Sequence, residues 1–169
     1  ALHSLSPSAD SAYYLGILKD KAGNTNEAIA FYEESLSLES DAYRKAEILY
    51  KIAAKLKKRG LKSQARKYAN EALSNKPSMG KAYILIAGLY ADSANDCGNN
   101  QFEKQAVYWL AAQTARRAAI VDPSLKKTSQ KLEASYSGRA PSKTDIFTQG
   151  KAGEVISIEC WIRSLSLIH

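Results

Sequence analysis

Two cysteines, two histidines and seventeen carboxylates are the side chains of this 169-residue chain from which a reactive centre could be assembled. Their spacing argues against one. His3 and His169 stand at opposite ends, and no Cys-x-x-Cys or His-Glu-x-x-His spacing occurs. No glycine-rich loop is present to cradle a phosphate. Glu33 and Glu34 are neighbours on a helix, and neighbours on a helix do not share a face. The sequence therefore offers no catalytic residue, no metal ligand set and no cofactor site, and an enzyme is not expected. Cys97, in a polar loop, and Cys160, in a β-like run, leave two readings open. They pair if the protein is exported, closing a loop of about 63 residues at a gain of roughly 4 kcal/mol. Or they are two free thiols in a reducing cytoplasm.

The elements that position these residues read as helices over most of the chain. In Ala46–Leu56, Leu49, Ile52, Ala53 and Leu56 recur at helical spacing and make one apolar face. Gly60 breaks the pattern. Ala65, Ala69 and Ala72 then mark a second helix, beside Tyr68 and Leu73, and Pro77 ends it because proline has no N–H to continue the ladder. Upstream, helices are expected over 9–22 and 26–38, joined by Gly23-Asn24, with Thr25 or Asn26 as the cap and Ala28, Ile29, Tyr32 and Leu36 inward. Asp41 caps a long helix through Arg59. Downstream, helices are expected over 79–95 and from Phe102 to Val121, separated by the loop Asn95–Asn100. The second carries Val107, Tyr108, Trp109, Leu110 and Ile120, assigned to the core. A final helix over 124–137, with Leu125, Leu132 and Tyr136 inward, reads as a cap. Beyond Gly138 and Pro141, Thr144–Gln149 and Glu154–Ile162 read as two strands of a hairpin. In the second of these, Ile156, Ile158, Cys160 and Ile162 alternate with Ser157, Glu159 and Trp161.

The helices repeat. Ala28, Tyr32, Ser35 and Ser40 have the spacing of Ala65, Ala69, Ala72 and Pro77, and again of Ala111, Ala115, Ala118 and Pro123. The interval from Gly16 to Ala28 equals that from Ala53 to Ala65. From Ala87 to Ala111 it is longer by about twelve residues, an insertion between the helices of the third pair. This pattern resembles the tetratricopeptide repeat (TPR), a helix–turn–helix unit of about 34 residues. The implied fold is mainly α: a TPR-type α-solenoid of three helix pairs (9–42, 46–79 and 80–123), a capping helix (124–138) and a C-terminal β-hairpin tail (139–169). Ala1–Pro7 reads as the end of a preceding repeat, which implies further chain upstream.

The third pair and the tail resemble one group of bacterial TPR proteins. The matching residues are Ala87–Tyr90, Ser93–Gly98, Phe102–Lys104, Ala106–Trp109, Val121–Leu125, Pro141–Phe147, Gly153-Glu154 and Cys160–Ile162. The residues after Ile162 depart from the group's pattern. The resemblance implies an exported, periplasmic or envelope-associated scaffold without assigned chemistry, the cytoplasm being the alternative. Similarity to other TPR domains implies a concave groove for a peptide or partner protein, lined by Tyr13, Ile17, Asp20, Tyr50, Ala54, Lys57, Lys81, Ile84 and Gly88. Tyr13 and Ile17 stand where TPR domains that bind chaperone tails carry lysine and asparagine, so binding of such tails is not expected.

Charge adds a second functional reading. Residues 1–43 carry net −5, residues 44–81 net +10 and the remainder +2, for a total of +7. The Lys51–Lys67 face is a solvated helical surface or a binding module for an acidic protein or polyanion. Nucleic acid is not expected, since no recognised binding motif occurs. With 45% apolar residues the chain can bury a core, and no run of eighteen apolar residues occurs. Exposed repeat ends also allow self-association.

Overall fold

A computed structural model describes residues 6–158 and 160–163, and the backbone of 165–167. Two compact units divide the chain between Ser78 and Met79. The expectation for 1–8 falls mostly outside the described residues; Ser6 and Pro7 are not helical.

The first unit holds α1 (Ala9–Lys21), α2 (Thr25–Leu38), α3 (Ala42–Lys58) and α4 (Lys62–Asn75). α1 packs on α2, α3 on α4, and α2 against α3. Ser8 opens α1 with a capping box shared with Ser11, and Asp41 opens α3 by accepting from the Arg44 N–H at 2.8 Å. Asn24, rather than Thr25 or Asn26, holds the N-cap position of α2 and makes no side-chain cap bond. Gly23 and Gly60 turn the chain at φ +82° and +74°, a region that L side chains avoid.

Small residues let the helices approach. Ala12, Ala28, Ala46, Ala53, Ala65, Ala69 and Ala72 are fully buried. The two repeats fill the same space differently. A Cβ on Gly16 would lie 2.7 Å from the Tyr32 ring, so the ring covers the bare backbone of α1. At the equivalent positions of the second repeat stand Ala53 and Ala69, an alanine pair in place of glycine and tyrosine. The glycine leaves room for the ring, and the smaller alanine pair needs no such room. The Ser35 hydroxyl, fully buried, donates to the Ala9 carbonyl at 2.7 Å and fastens the end of α2 to the start of α1.

The second unit holds α5 (Gly80–Ala91), α6 (Gln101–Val121), a 3-10 turn (Pro123–Leu125), α7 (Lys126–Ser137), α8 (Lys143–Thr148), β1 (Val155–Ser157) and β2 (Leu165–Leu167). α5 is apolar nearly all round, with Ala82 and Leu85–Tyr90 buried. Its start touches the end of α6: a Cβ on Gly80 would meet Asp122 Cβ at 2.7 Å and the Ala118 carbonyl at 2.9 Å. The buried Ser129 of α7 donates to the Ala115 carbonyl of α6, while Leu125, Leu132 and Tyr136 are only half-buried.

Two expectations are corrected in this unit. Thr144–Gln149 is not a strand but lies mostly in α8, because Ser142 and Asp145 form a reciprocal capping box: the Asp145 N–H donates to the Ser142 hydroxyl at 3.1 Å and the Ser142 N–H to the Asp145 carboxylate at 2.8 Å. The Ser142 hydroxyl, which donates to the same carboxylate at 2.6 Å, and then the Ser142 N–H hold the Asp145 carboxyl below its ordinary value. The antiparallel pairing instead joins Val155–Ser157 to Leu165–Leu167, three residues a side. Ile120, expected in the core, is 71% exposed on the last turn of α6. Glu159 lies outside the described residues.

Cys97 and Cys160 are joined in a disulfide with their Cα atoms 5.5 Å apart. The bond ties the α5–α6 loop to the tail. Around it Ile158 and Ile162 are buried, and the Tyr90 and Trp161 rings lie 6.1 Å apart. Ala106, Ile146 and Ile156 form a small core against which Phe102 and Trp109 pack, ring edge to face. The loop itself is held by Glu103, whose carboxylate accepts from the Asn99 N–H at 2.6 Å and from Asn100.

Candidate functional site

A cleft of about 290 Å³ opens in the first unit, lined by Tyr13 of α1, Tyr43, Arg44, Glu47 and Ile48 of α3, and Lys76 at the end of α4. Each side chain is placed by the local structure. The Asp41 cap starts α3, so Tyr43 and Arg44 occupy its first turn. Arg44 is then fixed by two carboxylates. Its guanidinium pairs with Asp10 of α1, and its Nε lies 2.8 Å from Glu39. Glu39 also accepts from the N–H groups of Ser40 and Asp41 at 2.9 and 3.0 Å. The bond to Asp10 raises the Arg44 pKa further above its ordinary value. Arg44 is thus a strut between α1 and α3 rather than a cation held for a ligand.

The floor is Ile48, 3% exposed. The walls are aromatic. The Tyr13 ring stands 5.8 Å from Tyr32, with the Lys51 ammonium 5.4 Å from its centroid. Tyr43 is 62% exposed, and the Lys76 ammonium sits 5.6 Å from its centroid. Lys76 is also 3.7 Å from Glu47. The cleft therefore has an apolar floor, two phenol walls and one loosely paired cation at its rim. That arrangement suits a bulky apolar side chain and supplies no nucleophile. The nearby Tyr32 hydroxyl is pushed up to about 12 by burial, with Asp20 and Tyr13 adding to the effect, so it stays protonated.

The expected groove residues are distributed between the units. Tyr13 lines the cleft. Ile17 is half-buried on α1, and Asp20 is committed to Lys55, whose ammonium lies 2.5 Å away. Tyr50, Ala54 and Lys57 are half-buried along α3. In the second unit Lys81 and Ile84 are half-buried on α5. Gly88 is a correction: it is buried, because α5 is enclosed on nearly every side, and it lines no open surface. The basic face is also partly used up inside the unit, since Lys51 sits over Tyr13 and Lys55 pairs with Asp20. Lys58, Arg59 and Lys67 stay exposed. Tyr43, Ile48 and Lys76 carry no periodic signal that sets them apart; only the crossing of α1, α3 and the end of α4 brings them together.

Among the described residues, no three His, Cys, Asp or Glu side chains gather as a metal site, and no helix is long and apolar enough to cross a membrane. No protein-family model matches the chain. Photosystem I assembly protein Ycf3 of Cuscuta gronovii is 30% identical over 112 residues, spanning 61% of this chain and 67% of its own length. The same protein of Cuscuta obtusiflora matches equally. Among solved structures, the TPR2B-domain:pHsp70 complex of yeast Sti1 aligns with TM-score 0.62 at 20% identity, covering 78% of this chain and 97% of that one. The Arabidopsis OM64 TPR domain aligns with TM-score 0.61 at 21% identity, covering 78% and 95%. At such identities the structural likeness establishes the fold.

Proposed function

Since this chain belongs to the tetratricopeptide-repeat family, with the Ycf3 assembly proteins as relatives, we propose that it is a non-enzymatic scaffold that holds a peptide segment of a partner protein during assembly. The observation that carries the reading is the Tyr13–Tyr43–Ile48–Lys76 cleft. Its aromatic walls and apolar floor receive an anchoring side chain, and the net +9 of residues 44–78 in the same unit, eleven Lys or Arg against Glu47 and Glu71, favours a segment rich in carboxylates. An array of twelve-residue peptides of varied sequence tests it. Bound peptides should carry an aromatic or branched apolar residue beside Asp or Glu. They should be lost on Tyr43→Ala and on Lys76→Glu, and kept on Lys126→Glu, an exposed position in the other unit. Peptides that bind all three variants as well as the parent chain would reject the cleft as the site.

The net +10 of residues 44–81 supports a second reading, a polyanion-binding module that uses Lys58, Arg59 and Lys67. Binding to heparin that falls as a steep power of salt, and that those three charges carry, would favour it over the peptide site. We also place the protein in an exported, oxidising compartment of a bacterial envelope, a reading that the Cys97–Cys160 bond supports over the cytoplasm. Alkylation of the native protein before and after reduction checks this by mass. Two alkyl groups before reduction would return the protein to a reducing compartment.

A further inference from the structure

The mouth of the cleft sets two opposite charges side by side. Tyr43 and Glu47 stand four apart on α3 and so share a face. Lys76 lines the same cleft from the end of α4. Its N–H donates to the Ala72 carbonyl at 2.8 Å, and Pro77 keeps its backbone out of the helical region, at φ −143° and ψ 86°. The Lys76 ammonium stands 3.7 Å from the Glu47 carboxylate and 5.6 Å from the Tyr43 centroid. A charge-assisted hydrogen bond is shorter, about 2.7–2.9 Å, so the pair is adjacent without being closed. The neighbouring cations are committed inside the unit. Arg44 is clamped by Asp10 and Glu39, and Lys51 lies over the Tyr13 ring.

We propose that this mouth reads a hydroxyl and that the anchoring side chain of the bound segment is a tyrosine; the inference rests on the peptide reading of the cleft and narrows it to one residue type. The bound ring lies between the Tyr13 and Tyr43 rings, over Ile48. Its hydroxyl enters between Lys76 and Glu47, accepting from the ammonium and donating to the carboxylate. Three observations select this occupant. The walls are aromatic and the floor is aliphatic, which suits a ring. The volume of about 290 Å³ lies at the bottom of the range for whole small molecules, roughly 300–1,000 Å³, and suits one side chain. The mouth presents a donor beside an acceptor, and a phenol answers both from a single oxygen. Phenylalanine and leucine answer neither, and the tryptophan N–H serves Glu47 alone. A carboxylate has about four acceptor positions, so its pairing with Lys76 leaves Glu47 room for a further donor. A site that bonds a hydroxyl rejects the analogue lacking it, because its own polar groups are then left unpaired. Water reaches this mouth, where Lys76 and Glu47 are 31% and 39% exposed, and reduces the preference to about tenfold.

Fluorescence anisotropy of labelled twelve-residue peptides with the whole chain reads this directly. Each peptide is built of Asp, Glu, Ser and Gly around one central tyrosine, phenylalanine or leucine. The tyrosine peptide should bind about tenfold more tightly than the phenylalanine peptide. Glu47→Met with Lys76→Met removes both hydrogen-bonding groups and keeps the net charge of the unit. In that double variant the ratio should fall to about one, with the phenylalanine peptide still bound. Tyr43→Ala should weaken every peptide, and circular dichroism melts show that each variant is folded. Equal binding of the tyrosine and phenylalanine peptides, with both weakened by Tyr43→Ala, would overturn the tyrosine assignment and leave the cleft reading standing. A tyrosine preference that survives the Glu47/Lys76 substitutions would overturn the assignment as well. Binding that Tyr43→Ala leaves unchanged, or no binding up to about 1 mM, would overturn the cleft reading and this inference with it.

Discussion

The two units solve one packing problem by different means. In the first, two helix pairs meet through alanines, one glycine and one tyrosine, and the connections are short turns. In the second, an insertion separates α5 from α6, and a loop of that length cannot be covered by its own helix pair. The cover comes from the tail, through Ile146, Ile156, Ile158 and Ile162 and through the disulfide from Cys97 to Cys160. A regular repeat is thus held by neighbours in sequence, and an irregular one by residues about sixty positions away.

The largest test of that contrast removes the covalent tie. Cys97→Ser with Cys160→Ser should cost the second unit roughly 4 kcal/mol, the value expected for a loop of this length. Both tryptophans, Trp109 and Trp161, lie in the second unit, so their fluorescence during urea unfolding follows that unit alone. A midpoint unchanged from the parent chain would mean that apolar contacts hold the tail without the bond.

A smaller effect compares the glycines. Gly80→Ala and Gly16→Ala should each cost about 1–3 kcal/mol by overpacking. Gly80 should cost more, because its new methyl group meets a backbone carbonyl and the Cβ of Asp122, whereas at Gly16 it meets a side-chain ring. The reverse order in thermal melts would show that the Tyr32 ring is the more rigid neighbour. Smaller still, Ser35→Ala and Ser129→Ala should each lose about 1 kcal/mol, leaving the carbonyls of Ala9 and Ala115 without that donor.

The smallest effect is a pH dependence. The Tyr68 hydroxyl is raised to about 12, first by its hydrogen bond to Glu33 and then by burial, and Tyr32 is raised to about 12 mainly by burial. Both folded values lie above the ordinary 10. Their contribution is therefore intact below pH 10 and is lost as the pH climbs from 10 through 12, because the unfolded chain gives up these protons first. Tyr68→Phe should flatten part of that fall, read as helical signal against pH in a fixed concentration of urea. An unchanged curve would assign the loss elsewhere.

The architecture was largely legible because alanine spacing reports helix contact directly. Ala65, Ala69 and Ala72 recur at intervals that only a close helix pair requires, and all three are buried. The tail was not legible by alternation. Thr144–Gln149 has β-forming residues, but the Ser142–Asp145 cap outweighs them, and that pair was a readable signal. Ile120 was misplaced because its hydrophobicity says nothing about where the cover over α6 ends. Of the cleft, Tyr13 was legible from its place on the first helix. Tyr43 and Lys76 were not, because one lies in the first turn of a helix and the other after the end of a helix, where periodicity carries no information.

The Cys97–Cys160 tie also sets an order of events in time. The contacts of the first unit are complete once residue 78 has left the ribosome, and most are local in sequence, so that part can fold while the rest is being made. The apolar side of α6 around Phe102 and Trp109 stays uncovered until Ile146 and Ile156 follow, and Cys97 has no partner until residue 160 arrives. For about sixty residues of synthesis the nascent chain carries a finished repeat pair next to a sticky, unpaired thiol-bearing loop. That interval, and not the folded state, is when the protein is most exposed to mispairing and aggregation.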